Sequence, residues 1–188
     1  MSRAMTHTRF SGAQRLLHWT MAAGIVAMLF IGVGMLSTIA PSYVPLVATH
    51  KTLGVALFAL VLVRLVLRLV LGAPPLPASL PLLMRLGAIL SHWGLYGLMI
   101  VMPLLGWAML SAAAYPIVLF GNIRLPPVVP QSDQLHTLLW AAHRWLAFAF
   151  FALILLHVAA ALFHALVRRD GVFEAMSPLP LRKTERRG

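Results

Sequence analysis

Residues 135–167 read LHTLLWAAHRWLAFAFFALILLHVAAALFHALV, and Arg144 is the only Lys, Arg, Asp or Glu in this apolar stretch. A transmembrane helix needs about 20 consecutive, mainly apolar residues, so the stretch is long enough to cross a bilayer. Burying an ionisable group in lipid is unfavourable, and such groups within a membrane are therefore expected to be functional. The candidates here are four histidines: His136, His143, His157 and His164.

Three more apolar runs precede this stretch, at residues 16–39, 47–71 and 85–110. Proline-rich segments separate the runs. Proline interrupts a helix because it lacks a backbone N–H, so we expect each run to be a separate helix. Pro103 lies inside the third run, where a membrane helix tolerates a kink. Residues 114–133 form the longest predicted loop. The pattern therefore predicts four membrane-spanning helices.

The composition agrees with a membrane protein. Of the 188 residues, 61% are hydrophobic and 10% are charged, whereas soluble domains average about 45–50% apolar and 25% charged residues. We predict an all-α integral membrane four-helix bundle over residues 1–178, followed by a basic disordered tail at 179–188. The chain has no cysteine, which excludes disulfides, iron–sulfur clusters, thiolate-bound haem and covalently attached c-type haem.

The net charge of +11 lies in short clusters beside the apolar runs, and this argues against nucleic-acid binding. The side poor in basic residues has only Lys51, Arg124 and Arg144. The other side has the remaining twelve of the 15: Arg3, Arg9, Arg15, Arg64, Arg68, Arg85, Arg168, Arg169, Arg182, Lys183, Arg186 and Arg187. The positive-inside rule therefore predicts that both termini are cytoplasmic.

This topology gives each intramembrane histidine a depth. His18 lies near the cytoplasmic end of helix 1 and His50 near the outer end of helix 2. His143 lies toward the outer end of helix 4, and His157 follows fourteen residues later. Fourteen residues rise about 21 Å and end some 40° short of four full turns, so both side chains share one helix face. Neutral imidazoles are good axial ligands for haem iron, and the arrangement suits two stacked haems.

Spacing alone leaves other ligand choices open, because His136, His143, His157 and His164 share one heptad register. His136 and His164 would lie about 42 Å apart, which exceeds the roughly 30 Å hydrocarbon core. His143 with His164, or His136 with His157, would lie about 31 Å apart and remain possible.

Several motifs resemble the bacterial cytochrome b561 family in the order in which they occur. They are residues 14–19 (QRLLHW), 50–54 (HKTLG), 63–69 (VRLVLRL) before Pro74 and Pro75, 103–106 (PLLG), and His143 with 156–161 (LHVAAA). The resemblance implies two haem b groups with His18, His50, His143 and His157 as axial ligands of the iron. It further implies a link to quinone, with ubiquinone as the electron acceptor. Within the family the pattern is most similar to the superoxide oxidase type.

Five basic residues are candidates for contacts to haem propionates or to a small anion. Arg15, Arg64 and Arg68 lie on the inner side, and Lys51 and Arg144 adjoin the proposed outer ligands. Each of them equally fits an anchor at the membrane surface. His92 and His164 are candidates for contacts to a haem propionate or a quinone, and an interfacial position is the alternative for His92.

We therefore expect a membrane protein that passes single electrons from a donor at the outer face, superoxide or a redox protein, to the quinone pool. The expected partners are membrane lipid, quinone and this donor, without nucleic acid. One alternative is a cytochrome b subunit of a hydrogenase or dehydrogenase complex. Another is a haem-free transporter or structural protein, which the lack of Asp and Glu in the spans disfavours.

Overall fold

The computed structural model describes residues 9–37 and 40–179 of the chain. Its long helices are α1 (Gly12–Ser37), α2 (Tyr43–Leu71), α3 (Leu82–Ala112) and α4 (Asp133–Phe163). A π-helical turn over His164–Arg168 extends α4, and the short α5 (Val172–Met176) follows. All four long helices are apolar and long enough to cross a membrane, which confirms the all-α multi-pass architecture. The predicted end of the first run at Ile39, and the predicted tail from residue 180 onward, lie outside the described residues.

Polar caps explain why two helices begin before the apolar runs. Ser11 Oγ accepts a hydrogen bond from the Gln14 backbone N–H, and Gln14 Oε1 accepts one from the Ser11 N–H. This reciprocal pair is a capping box, and it starts α1 at Gly12. Ser132 Oγ likewise accepts from the Leu135 N–H and starts α4 at Asp133.

The bundle consists of two helix pairs. Helix α1 packs mainly against α2, and α3 packs mainly against α4, with fewer contacts between the two pairs. Val61 in α2 is fully buried, whereas Phe30, Leu69 and Leu83 are more than three-quarters exposed. Large apolar side chains on the outside are expected where lipid is the solvent. The polar functional groups must therefore be sought between the two pairs.

A small β-hairpin occupies part of the predicted loop 114–133. Strand β1 (Ile117–Leu119) pairs antiparallel with β2 (Ile123–Leu125), and Val118 lies opposite Arg124. Phe120 and Gly121 both adopt positive φ in the turn. The loop prediction was wrong for these residues, because the short apolar segments on either side of a glycine turn satisfy their backbone groups by pairing with each other. We call this end of the bundle the hairpin end.

The described chain ends meet at the opposite end of the bundle, which we call the termini end. Trp19 Nε1 donates to the Met176 carbonyl at 3.0 Å, and Arg15 Nη1 donates to the Ser177 carbonyl at 3.1 Å. Arg9 Nη2 donates to the carbonyls of Ser177 and Leu179. These contacts tie the segment after α5 to the start of α1.

Candidate functional site

The first histidine pair lies toward the termini end and joins α1 to α4. The ring centroids of His18 and His157 are 6.4 Å apart, with ring planes inclined by 72°. Each ring comes from a different helix pair, so the two imidazoles face each other across the interface. We call His18 and His157 the termini-end pair.

The second pair lies toward the hairpin end and joins α2 to α4. The ring centroids of His50 and His143 are 6.2 Å apart, with ring planes inclined by 66°. Helix α4 thus supplies one ring to each pair, fourteen residues apart on one face, as its periodicity predicts. We call His50 and His143 the hairpin-end pair.

Both spacings fit two imidazoles that ligate one metal from opposite sides. A metal–imidazole bond is about 2 Å long and each nitrogen lies roughly 1 Å from its ring centre, so such rings stand about 6 Å apart. The described residues contain no cluster of three or more His, Asp or Glu side chains that could hold a bare metal ion. Two ligands per site instead suit a cofactor that supplies its own equatorial ligands, as haem does.

The surroundings of the hairpin-end pair support this fit. Nδ1 of His50 is buried and has no hydrogen-bond partner among the described residues. The Met102 carbonyl faces the ring of His143, although it forms no hydrogen bond of ordinary length to the buried Nδ1. A Cβ added to Gly106 would lie 3.4 Å from His143 Cε1, so glycine allows α3 to approach this ring closely.

The structure also separates the histidines that spacing could not. His136 Nδ1 lies 3.0 Å from the Met109 carbonyl, and its ring contacts Tyr115. His164 Nδ1 lies 2.9 Å from a carboxylate oxygen of Asp170. Neither ring faces an imidazole on another helix within the described part of the chain, whereas His143 and His157 both do. The geometry therefore favours His143 and His157 as the two α4 ligands.

His92 adds a third imidazole beside the termini-end pair. Its ring centroid lies 5.3 Å from that of His157, with the planes perpendicular. Its Nδ1 lies 2.5 Å from the Ala88 carbonyl of the preceding helical turn and therefore donates to it. This contact fixes the ring beside His157. His92 thus lies at the edge of the site and not between the two paired rings.

Comparison with known proteins identifies the protein family. The sequence model described as prokaryotic cytochrome b561 matches residues 9–178. The chain belongs to the prokaryotic cytochrome b561 family. It is therefore a membrane electron-transfer protein of a haem b-binding family.

Individual members of the cytochrome b561 family align with almost the whole chain. Cytochrome b561 homolog 2 of Escherichia coli (strain K12) is 28% identical over 94% of this chain and 95% of its own length. The probable superoxide oxidase CybB of Yersinia pestis is 29% identical over 92% of this chain and 97% of its own length. Cytochrome b561 homolog 1 of the same E. coli strain is 26% identical, and the match covers 90% and 97% of the two chains.

Arg64 is the basic candidate that lies beside one of the two histidine pairs. Its Nη1 donates to the Gln14 carbonyl at 3.1 Å, and its charge acts on both His18 and His157. It is half-buried between α1 and α2. Arg64 is thus a fixed cation beside the termini-end pair.

The other four basic candidates have partners elsewhere. Arg15 donates to the Ser177 carbonyl, and the Arg68 guanidinium stacks over the Phe10 ring. Lys51 Nζ reaches the Pro116 carbonyl at 3.4 Å beside a shallow cleft of about 510 Å³. Arg144 stacks on both of its tryptophan neighbours, Trp140 and Trp145. These partners favour roles in fixing the ends of the bundle.

The contacts of two polar groups were not predicted from the sequence. The first is Gln14, 5% exposed, whose Nε2 donates to the Gly72 carbonyl at 3.0 Å and to the Leu67 carbonyl at 3.4 Å. The signal that could have found it is the Ser-x-x-Gln capping box that begins at Ser11.

The second group is Asp170, whose side chain is 11% exposed. It accepts hydrogen bonds from Arg168 Nε and His164 Nδ1, both at 2.9 Å. Burial alone would raise the pKa of Asp170, but the hydrogen bonds from Arg168 and His164 outweigh burial and lower it. Asp170 follows the apolar run, so its partners depend on the π-helical turn and could not be read from the spacing.

Proposed function

We propose that the chain is a di-haem b electron-transfer protein that carries electrons from a donor at the outer face to ubiquinone. The observation that carries this proposal is the presence of two histidine pairs, each with the spacing of axial ligands, at two levels of one bundle. His18 and His157 would hold one haem, and His50 and His143 the other. The distribution of basic residues supports a cytoplasmic termini end in a bacterial inner membrane.

When bound, each haem supplies a one-electron redox centre with a reversible change of iron oxidation state. With one imidazole from each helix pair holding it on either side, each haem would have no coordination site open to substrate, which would favour electron transfer over oxygen binding. The chain itself holds the rings apart at the required spacing and surrounds them with apolar helices. Two centres also suit a two-electron acceptor that receives its electrons singly.

We further propose superoxide as the donor. Two superoxide anions would each lose one electron and leave as O2, and one ubiquinone would take up both electrons and two protons to become ubiquinol. The name of the relative from Yersinia pestis, probable superoxide oxidase, supports this reaction class. The three basic residues of the hairpin end, Lys51, Arg124 and Arg144, would attract a small anion to a face otherwise poor in charge.

Haem content and electron transfer test the proposal together. We expect about two haems per purified wild-type chain, about one in each of the variants His143→Ala and His157→Ala, and about two in the control His136→Ala. We expect superoxide to reduce the wild-type protein and a ubiquinone analogue to reoxidise it, with either single-haem variant at least tenfold slower.

The outcomes separate the levels of the proposal. A purified chain without haem absorbance contradicts the haem sites. Full haem content in His143→Ala, together with loss in His136→Ala, contradicts the assigned ligands. A fully loaded protein that superoxide cannot reduce contradicts the donor alone and leaves the electron-transfer role standing.

A further inference from the structure

The two histidine pairs differ in their electrostatic surroundings. The positive charge of Arg64 acts on both imidazoles of the termini-end pair. At the hairpin-end pair, Arg144 follows His143 directly in the sequence, but its guanidinium stacks on Trp140 and Trp145. Lys51 follows His50 directly in the sequence, but its ammonium group reaches out to the Pro116 carbonyl. Arg64, in contrast, is bonded to the helical turn that carries one of the paired histidines, at the termini-end site.

The position of Arg64 is determined by a part-buried hydrogen-bond network. Its guanidinium donates to the Gln14 carbonyl, which in an α-helix is also the acceptor for the backbone N–H of His18. The Gln14 side chain is itself held by the carbonyls of Leu67 and Gly72 at the end of α2. The cation thus sits, half-buried, on the helical turn that carries the proposed ligand His18.

A fixed cation stabilises a nearby site when that site gains an electron, because the added negative charge is attracted to it. The attraction is stronger in a low-dielectric interior than in water. We propose that Arg64 makes the termini-end site easier to reduce than the hairpin-end site, and that it thereby directs electrons across the bundle. This inference rests on the two haem sites of the proposed function. In the step concerned, one electron would pass from the hairpin-end haem, which would be oxidised, to the termini-end haem, which would be reduced, with no bond or proton changing place.

Arg68 provides a matched control on the same helix. It lies one turn beyond Arg64 and carries the same charge, but it is exposed and stacks over Phe10. Its guanidinium contacts Phe10, whereas that of Arg64 is bonded to the helical turn that carries His18. A general effect of removing a positive charge from α2 would therefore appear equally in variants of both residues.

The test is a spectroscopic redox titration of the purified holoprotein for the wild type, Arg64→Gln, Arg64→Lys and Arg68→Gln. His143→Ala and His157→Ala, each lacking one haem, assign the two midpoints. In the wild type we expect the higher midpoint at the termini end. In Arg64→Gln we expect that midpoint to fall by about 59 mV, a tenfold change for a one-electron couple. The hairpin-end midpoint of Arg64→Gln and both midpoints of Arg68→Gln should change little. In Arg64→Lys, the termini-end midpoint should remain the higher of the two.

The results distinguish an effect of the positive charge of Arg64 from a purely structural role of its side chain. Equal or reversed wild-type midpoints overturn the proposal, and so does an unchanged termini-end midpoint in Arg64→Gln. If Arg64→Gln loses the termini-end haem, the Arg64→Lys variant decides. If Arg64→Lys retains the termini-end haem and this haem still has the higher midpoint, the role of the charge is supported. If Arg64→Lys loses that haem, or its two midpoints are equal or reversed, the proposal is overturned. A wild-type chain that binds no haem would instead contradict the proposed function.

Discussion

Gly106 determines how closely α3 can approach the ring of His143. A Cβ at this position would lie 3.4 Å from Cε1 and 3.7 Å from Nδ1 of that ring. A Cβ would already be in tight contact with the ring, so we expect the two further methyl groups of valine to overpack this site, which typically destabilises by about 1–3 kcal/mol. The close approach therefore links one backbone position to the geometry of a proposed ligand.

We predict that Gly106→Val displaces His143 and lowers the haem content from about two per chain to about one, with loss at the hairpin end. The measurement is the absorbance of the purified protein in its reduced and oxidised states. Gly97→Val is the matched control, because Gly97 lies in the same helix and its added Cβ would meet no atom within 4 Å. Equal haem content in the two variants would contradict a specific role of Gly106.

Single residues also show where the sequence was informative. The shared heptad register predicts that the α4 histidines face one way, but it cannot tell which ring meets a partner. That choice depends on polar contacts outside the apolar pattern: Met109 lies beside His136, and Asp170 lies beside His164. Apolar periodicity contains no information about such contacts, so only the resemblance to a family distinguished His157 from His164.

At the scale of elements, the end of α4 depends on a polar cluster in the π-helical turn. Asp170 binds Arg168 and His164, and Arg169 adopts a positive φ of 51° beside it. Non-glycine residues seldom adopt this conformation, which persists only where surrounding contacts impose it. The carboxylate of Asp170 supplies such contacts and closes the helix.

We predict that Asp170→Asn lowers the free energy of unfolding by about 1–3 kcal/mol at pH 7, because hydrogen bonds to a charged group are lost. The pKa of Asp170 is lowered in the folded protein. Its stabilisation is therefore complete above the unfolded value of about 4 and disappears as the pH falls through the lower folded value. Thermal unfolding of the wild type and the variant in detergent, from pH 7 to pH 3, should show the difference shrinking.

The exposed Asp133 at the start of α4 provides the control for this prediction. Asp133→Asn should have a smaller effect, since it removes only an interaction with the helix dipole of about 0.3–1 kcal/mol. A difference between wild type and Asp170→Asn that stays constant down to pH 3 would show that ionisation of Asp170 is not the cause.

The four spans could be predicted within a few residues of their ends, because length and hydropathy alone decide them. The errors concern polar caps and pairing. Ser11 and Ser132 start their helices early by accepting backbone N–H groups. The hairpin at 117–125 is stabilised by backbone hydrogen bonds across only three residues per strand, and the apolar loop pattern gave too weak a signal for it.

For the whole molecule, the orientation in the membrane is the testable property. The chain contains no cysteine, so a single introduced thiol is unique. We predict that a membrane-impermeant maleimide labels Asn122→Cys in the hairpin turn of intact spheroplasts, and labels Ser79→Cys between α2 and α3 only after permeabilisation. Both positions are exposed, so access to the thiol reports the side of the membrane. The reverse pattern would contradict the positive-inside prediction.

The division of the bundle into two helix pairs has a thermodynamic consequence. Each proposed haem site takes one ligand from the α1–α2 pair and one from the α3–α4 pair. Cofactor binding is then linked to assembly, and a ligand at a thousand times its dissociation constant adds about 4 kcal/mol of stability. Haem supply would accordingly govern how much of the chain persists in the membrane, because a cofactor-poor cell would leave the two halves weakly joined and open to proteolysis.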